Sequence, residues 1–435
     1  MNRPRRRCGG TAGSAGAPHP LAYHPQRIGT GRRRRREHVL QTSLFYLPTV
    51  GSREEIEQGM AGVRDDLYQN MLAELTEQAQ LADRLGYDSI SFTEHHFHIE
   101  GFELSTNPVL LDLYIAMQTE RIRVGQLGIV LPAQNPIRVA EDIAMLDQMS
   151  GGRAIAGFAR GYQRRWVDVM AQQMHGIHGA IPQQHDEIDA ANRQAFEEHF
   201  NIVRRCWTEE MIDTDSSYWT IPTEGTPWTL EATRLWGKGV DEDGMLRQIG
   251  VVPKPLQKPH PPIFQPFASS EGTVRWCARE GITAVVTPMH PVNQRKLLEA
   301  YQDEAKAAGR ELEPGEGIGL LRDVFIADTD EEAYELWRRG AGFAHNAWFT
   351  PFGFGVGRNK PGTEEPMSPQ EMMELGMLLV GSVDSVTRQL EAMLSHDPVD
   401  WLFAWQFNGL IPHDKLMRSL ELFATKVLPR VNGGG

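Results

Sequence analysis

From residue 39 onward, short apolar runs alternate with stretches whose apolar residues recur every three or four positions. No other feature constrains the chain as strongly. A short apolar run buries on both faces as a parallel strand, and a 3.6-residue period buries one face of a helix. Repeated βα units and a parallel sheet are therefore expected. Runs at residues 39–47, 87–93, 122–131, 154–159, 262–265, 282–287, 318–327 and 401–407 qualify as strands. Between them, Leu72, Leu75, Ala79, Ala82 and Leu85 mark a helix stopped by Gly86. Asn135 caps a second helix, Pro136 suits its first turn, Val139, Ile143 and Leu146 face inward, and Gly151 and Gly152 end it. Further helical periods fall near residues 273–279, 292–308, 331–344, 385–394 and 414–427. Eight strands with interleaved helices predict a (β/α)8 TIM barrel over residues 38–430. A doubly wound sheet is disfavoured because no Gly-rich dinucleotide fingerprint follows the first strand.

Three stretches break the rhythm, at about 161–192, 213–261 and 347–370, and the last two are rich in aromatics. Each falls where a barrel carries loops over its mouth, so they read as lids or as packing insertions. Residues 1–37 stand apart. Ten arginines (Arg3, Arg5, Arg6, Arg7, Arg27 and Arg32 to Arg36) precede the first acid, Glu37. Setting those ten charges aside takes the formal net charge from −13 to −23 on the rest, which repels nucleic acid. The arm is expected to be disordered. No apolar h-region follows its arginines and no run is long enough to span a bilayer, so neither export nor a membrane is expected. Cys8, Cys206 and Cys277 form no disulfide framework or CxxC pair, and a cytoplasmic protein is the natural reading.

Polar residues cluster where the strands should end. Ser91-Phe92-Thr93-Glu94-His95-His96-Phe97-His98 closes the second strand, on the side where a barrel places its chemistry. Strand alternation would put Glu94 and His96 on one face and His95 on the other. These residues suit acid–base work, a structural network or a metal site. The HxH of His96 and His98, with His290 after the sixth strand, is the best metal constellation; the eighth strand offers it no carboxylate. Arg160 ends the fourth strand, and Ser269, Ser270 and Thr273 lead from the fifth into a helix. Serines there are commonly just N-caps, yet with a guanidinium they also make a phosphate cradle.

The strings from Glu94-His95-His96-Phe97 through Asn107-Pro108, the run from Val124 to Pro132, Leu146 to Arg153, and Gly157-Phe158-Ala159-Arg160-Gly161 resemble the bacterial luciferase-like monooxygenase family in order and spacing. The likeness continues through residues 269–281 to Val380-Gly381-Ser382. It implies a barrel enzyme that uses reduced FMN and O2 to oxygenate a small organic substrate through a flavin C4a-peroxide. By the same resemblance His95 is the catalytic histidine, and Arg160, Ser269, Ser270 and Thr273 hold the flavin phosphate. Leu127-Gly128 falls where the family has a non-prolyl cis peptide under the flavin ring. A separate NAD(P)H:flavin reductase and a homodimer are implied as partners. Ala159 and Asn135 replace a cysteine and a histidine of the light-emitting α-subunit, which argues against light emission. The alternatives are hydride transfer with the deazaflavin F420 and metal-dependent hydrolysis. A chain beginning near residue 37 is expected to keep its melting temperature and activity. A marked loss of either would show that the arm packs on the barrel or serves the site.

Overall fold

Each predicted strand forms. β1 (Gln41–Tyr46), β2 (Ser89–Phe92), β3 (Arg123–Gln126), β4 (Ala154–Ala159), β5 (Ile263–Ala268), β6 (Thr283–Val286), β7 (Ile318–Ile326) and β8 (Trp401–Gln406) pair in parallel in that order. The ring closes where β8 meets β1, with Gln41 opposite Trp401 and Tyr46 opposite Gln406. The computed structural model describes residues 39–172, 174, 176–181 and 186–433, so the arginine arm lies outside the described residues. The (β/α)8 barrel expected from the sequence is the observed fold.

Local chemistry places the helices. Asn135 accepts hydrogen bonds from Ile137 N (2.9 Å) and Arg138 N (3.2 Å), starting helix Pro136–Met149. Gly86 takes φ +84° and ends helix Asp65–Leu85 as the left-handed cap the sequence promised. Arg153, at the end of the Leu146–Arg153 string, donates to the carbonyls of Ser150, Ile122 and Ala116 at 3.0, 2.9 and 2.7 Å. That string therefore fastens the N-terminal ends of β3 and β4 to a turn, away from the catalytic mouth.

Four expectations need correction. The run at 122–131 is not one strand: β3 stops at Gln126, the Leu127–Gly128 peptide is cis, and pairing resumes at Ile129–Val130 against Phe158 and Ala159. β2 stops at Phe92, before the Glu94–His98 motif, so strand alternation does not govern those side chains. The 213–261 stretch contributes no described residue to the cavity at the barrel mouth. Its Gln257 instead bonds Asp147 and the carbonyl of Ala154, the first residue of β4, at the far end of the barrel. Helix Glu187–Thr208 and an added strand, Leu378–Gly381, paired to the end of β7, were not anticipated.

The tightest point in the ring lies where β3 passes β4. A Cβ on Gly157 would sit 1.8 Å from the Gln126 carbonyl oxygen, and one on Gly128 would sit 2.8 Å from the Gly157 backbone. Side chains cannot yield there, because backbone fills the space. Gly157→Ala is expected to cost at least about 1–3 kcal/mol of stability by forcing the strands apart, read by urea denaturation. An unchanged midpoint would show that this approach is not obligatory.

Candidate active site

A cavity of about 590 Å³ opens at the C-terminal ends of the strands. His95, Leu127, Gly128, Arg160, Ser269, Ser270 and Thr273, separate in sequence, all line it. Arg193, Asn293 and Lys296 stand on the same wall and carried no signal of their own in the sequence.

The anion-binding end is built from a strand end and a helix start. Ser270 caps the ten-residue helix Glu271–Glu280, accepting from Thr273 N at 3.3 Å, and its hydroxyl lies 3.0 Å from that of Thr273. Arg160 donates from one Nη to Asp189 Oδ1 at 2.6 Å, while its other Nη is buried without a hydrogen-bond partner. Burial, with Arg193 nearby, lowers the guanidinium pKa, yet it stays charged. A buried unsatisfied guanidinium nitrogen beside a helix N-terminus is chemistry that fits a phosphate.

The histidine end is richer than the sequence suggested. His96 Nε2 meets Glu94 Oε1 at 3.0 Å, and Glu94 Oε2 accepts from Val130 N at 2.7 Å. Glu94 also accepts from Gln134, so this carboxylate organises the loop after β3 while lining the cavity wall. His95 turns the other way. Its Nε2 lies 3.4 Å from Glu103 Oε1, and its Nδ1 is buried with no hydrogen-bond partner. Glu103 is 1% exposed, and its Oε2 accepts from Gln163 (2.8 Å) and from the Trp348 indole (2.7 Å). Glu103 was missed because it lies in an irregular loop where no period marks it.

The metal constellation considered from sequence does not assemble. His96 is engaged by Glu94, His98 by Gln163, and His290 caps helix Pro291–Ala307. His95, His98 and Glu103 do bring ligand atoms within 4.8 Å of one another. Both ring nitrogens of His98, however, face carbonyl oxygens, Phe102 O at 3.0 Å and Gln163 Oε1 at 2.5 Å. No lone pair on that ring is aimed at a shared cation.

The sequence pattern of the luciferase-like monooxygenases matches residues 57–397. The chain belongs to that family. This luciferase-like protein is 27% identical over 372 residues to 3,6-diketocamphane 1,6-monooxygenase of Pseudomonas putida, covering 82% of this chain and 92% of that one. It is 28% identical over 276 residues to the oxygenase component of a flavin-dependent trigonelline monooxygenase of Acinetobacter baylyi, covering 63% of this chain and 65% of that one. The solved oxygenating constituent of 3,6-diketocamphane monooxygenase, in complex with FMN, superposes with a TM-score of 0.68 at 23% identity. That superposition covers 90% of this chain and 98% of the other. An F420-dependent secondary alcohol dehydrogenase shares the fold, with a TM-score of 0.57 at 13% identity over 90% of this chain and 99% of that one.

Burial sets the proton chemistry of the luciferase-like site. It drives His95 well below the ordinary imidazole value, helped by His98 and His96, so His95 is neutral at pH 7. Burial likewise takes His98 down to about 4. The same desolvation lifts Glu103 to about 7, against the donors Trp348 and Gln163. Between pH 4.5 and 7 the folded protein keeps a proton on Glu103 that the unfolded chain has released. This contribution is complete below the unfolded pKa and lost as pH rises through 7, by roughly 3 kcal/mol in all. Glu103→Gln carries no titrating proton, so its stability relative to the parent is expected to be higher at pH 8 than at pH 5 in urea melts. Equal differences at the two pH values would remove Glu103 as the titrating group.

Proposed function

We propose that this protein is the oxygenating component of a flavin-dependent monooxygenase that acts on a small organic substrate. The convergence of His95, the cis Leu127–Gly128 peptide, Arg160 and the Ser269–Thr273 turn on one cavity carries this reading. In it, Arg160, Ser269, Ser270 and Thr273 hold the phosphate of reduced FMN, and Leu127-Gly128 supports its ring. Reduced flavin supplies the two electrons that activate O2; one oxygen atom enters the substrate and the other leaves as water. His95, neutral and with Nδ1 uncommitted, takes up and returns a proton during that transfer, while Glu103 faces its other nitrogen. Residues 345–358 and Tyr162 roof the cavity with aromatic rings, with Phe354 packing on Tyr162 at 4.8 Å, and keep water from the reacting centre.

A relative named as an oxygenase component supports delivery of reduced flavin by a separate reductase. Pairing of two barrels belongs to the same reading, with exposed Leu110, Tyr114, Met117, Met145 and Met149 supplying apolar surface. Among the described residues, no helix is long and apolar enough to cross a membrane. The shared fold of an F420-dependent dehydrogenase keeps deazaflavin hydride transfer as the second reading.

Anaerobic titration with reduced FMN and reduced F420 separates the two, and tight binding of F420 alone would overturn the first. Arg160→Ala is expected to weaken FMN binding by about 2–3 kcal/mol, roughly 30- to 150-fold. Unchanged affinity would move the phosphate elsewhere. His95→Ala is expected to bind FMN normally but release hydrogen peroxide in place of product, with oxygenation slowed roughly 10²- to 10⁴-fold. Normal product yield in stopped-flow mixing with oxygenated buffer would exclude His95 from the proton transfer.

A further inference from the structure

Another part of the cavity wall is made by the ends of β5 and β8 and the segment roofing them. Phe267, Phe349, Phe354 and Trp405 give it an apolar, aromatic character. Two polar side chains, His345 and Arg358, interrupt that wall. Neither belongs to the phosphate cradle on β4 and β5, and neither was singled out in the sequence.

They are held by a buried carboxylate. Asp323 on β7 is 3% exposed, and its Oδ2 accepts from the Trp337 indole at 2.8 Å and from His345 Nε2 at 2.7 Å. With the Nε2 proton committed to Asp323, the His345 ring presents its face to Arg358, one Nη of which lies 3.0 Å from Nδ1 and 3.1 Å from Nε2. Burial, then Arg358, lowers the pKa of His345, and the ring stays neutral between the two charged groups. The backbone around Arg358 is fixed as well. His290 N donates to Gly357 O at 3.1 Å and Met367 N to Arg358 O at 2.9 Å.

This arrangement orients Arg358 without satisfying it. One Nη is engaged by His345, and the remaining guanidinium donors make no hydrogen bond among the described residues. No carboxylate of those residues lies within ion-pairing distance of Arg358. A half-buried guanidinium in an aromatic pocket favours an anion, and its planar fork matches a carboxylate in bidentate geometry.

We propose that Arg358, positioned by the Asp323–His345 pair, is the substrate-recognising cation of this cavity, and that the substrate is an aromatic or alicyclic carboxylate. The ring lies against Phe349, Phe354 and Trp405, and the carboxylate meets the free edge of the guanidinium. The proposal rests on the monooxygenase reading of the cavity for its catalytic meaning, but the recognition itself requires no flavin.

The test uses the flavin-free full chain and four probes: benzoate, benzamide, cyclohexanecarboxylate and cyclohexanecarboxamide. Binding is followed by tryptophan fluorescence, since Trp405 lines the pocket. Each acid is expected to bind about 10- to 100-fold more tightly than its amide. Arg358→Gln is expected to abolish that preference while leaving the affinity for reduced FMN unchanged. Arg358→Lys keeps the charge without the fork and is expected to retain part of the preference, which gives an answer should the Gln variant fail to fold. Equal binding of acids and amides, no binding of any probe, or an intact preference in Arg358→Gln overturns the proposal. So does a loss of FMN affinity in Arg358→Gln with the acid preference kept, which would assign the guanidinium to the flavin. Failure of flavin to bind the unmodified protein, with the acid preference present, overturns the monooxygenase reading alone.

Discussion

The carbonyl oxygen of Gln126 occupies the space in which residue 157 would carry a Cβ. Much of the site depends on that contact. It lets β3 and β4 meet backbone to backbone at the level where both strands end, and it leaves Leu127 and Gly128 facing the cavity. Three residues past Gly157, Arg160 emerges on the same rim, and Ser269 follows on the next strand. The placement of these cavity-lining residues is thus set by a steric fact at two glycines. Ordinary side chains here would part the strands and scatter the rim.

The barrel was legible because burial imposes period. Parallel strands covered on both faces read as continuous apolar runs, and all eight runs became strands. Where pattern and structure parted, a specific contact overrode the pattern. The run at 122–131 is apolar enough to read as one strand, but after Leu127 N makes the last β2–β3 ladder bond, to Phe92 O at 2.7 Å, the Leu127–Gly128 peptide is cis and the ladder is interrupted. Helix Glu187–Thr208 carries Phe196, Phe200, Val203 and Trp207 at helical spacing. Its first turns lie in the irregular stretch after β4, which hid the pattern. Leu378–Gly381 is too short for period to mark it.

The gathering of Arg160, Ser269, Ser270 and Thr273 on one cavity was legible for a different reason. These residues lie at the ends of regular elements, whose positions a βα pattern already fixes. Glu103, Gln163 and Trp348 lie outside the barrel strands and meet only in three dimensions, as do Arg358 and the β7 residue Asp323 through His345. Trp348 is 245 residues from the carboxylate it bonds. Their chemistry comes from burial, and burial of a loop residue has no sequence period. Both Glu94 and His95 line the cavity, because β2 ends before them and alternation along a strand does not govern their side chains.

Trp348 sits on the segment that roofs the cavity, and its partner is the carboxyl group that takes up a proton near neutrality. An N–H donor holds an ionised carboxylate more firmly than a carboxylic acid. Withdrawing the indole therefore raises the proton affinity of Glu103, and proton uptake there loosens the indole by the same free energy. Movement of the roof and acidity of the medium are two coordinates of one equilibrium. An opening of the mouth that withdrew Trp348 would accordingly carry a proton count.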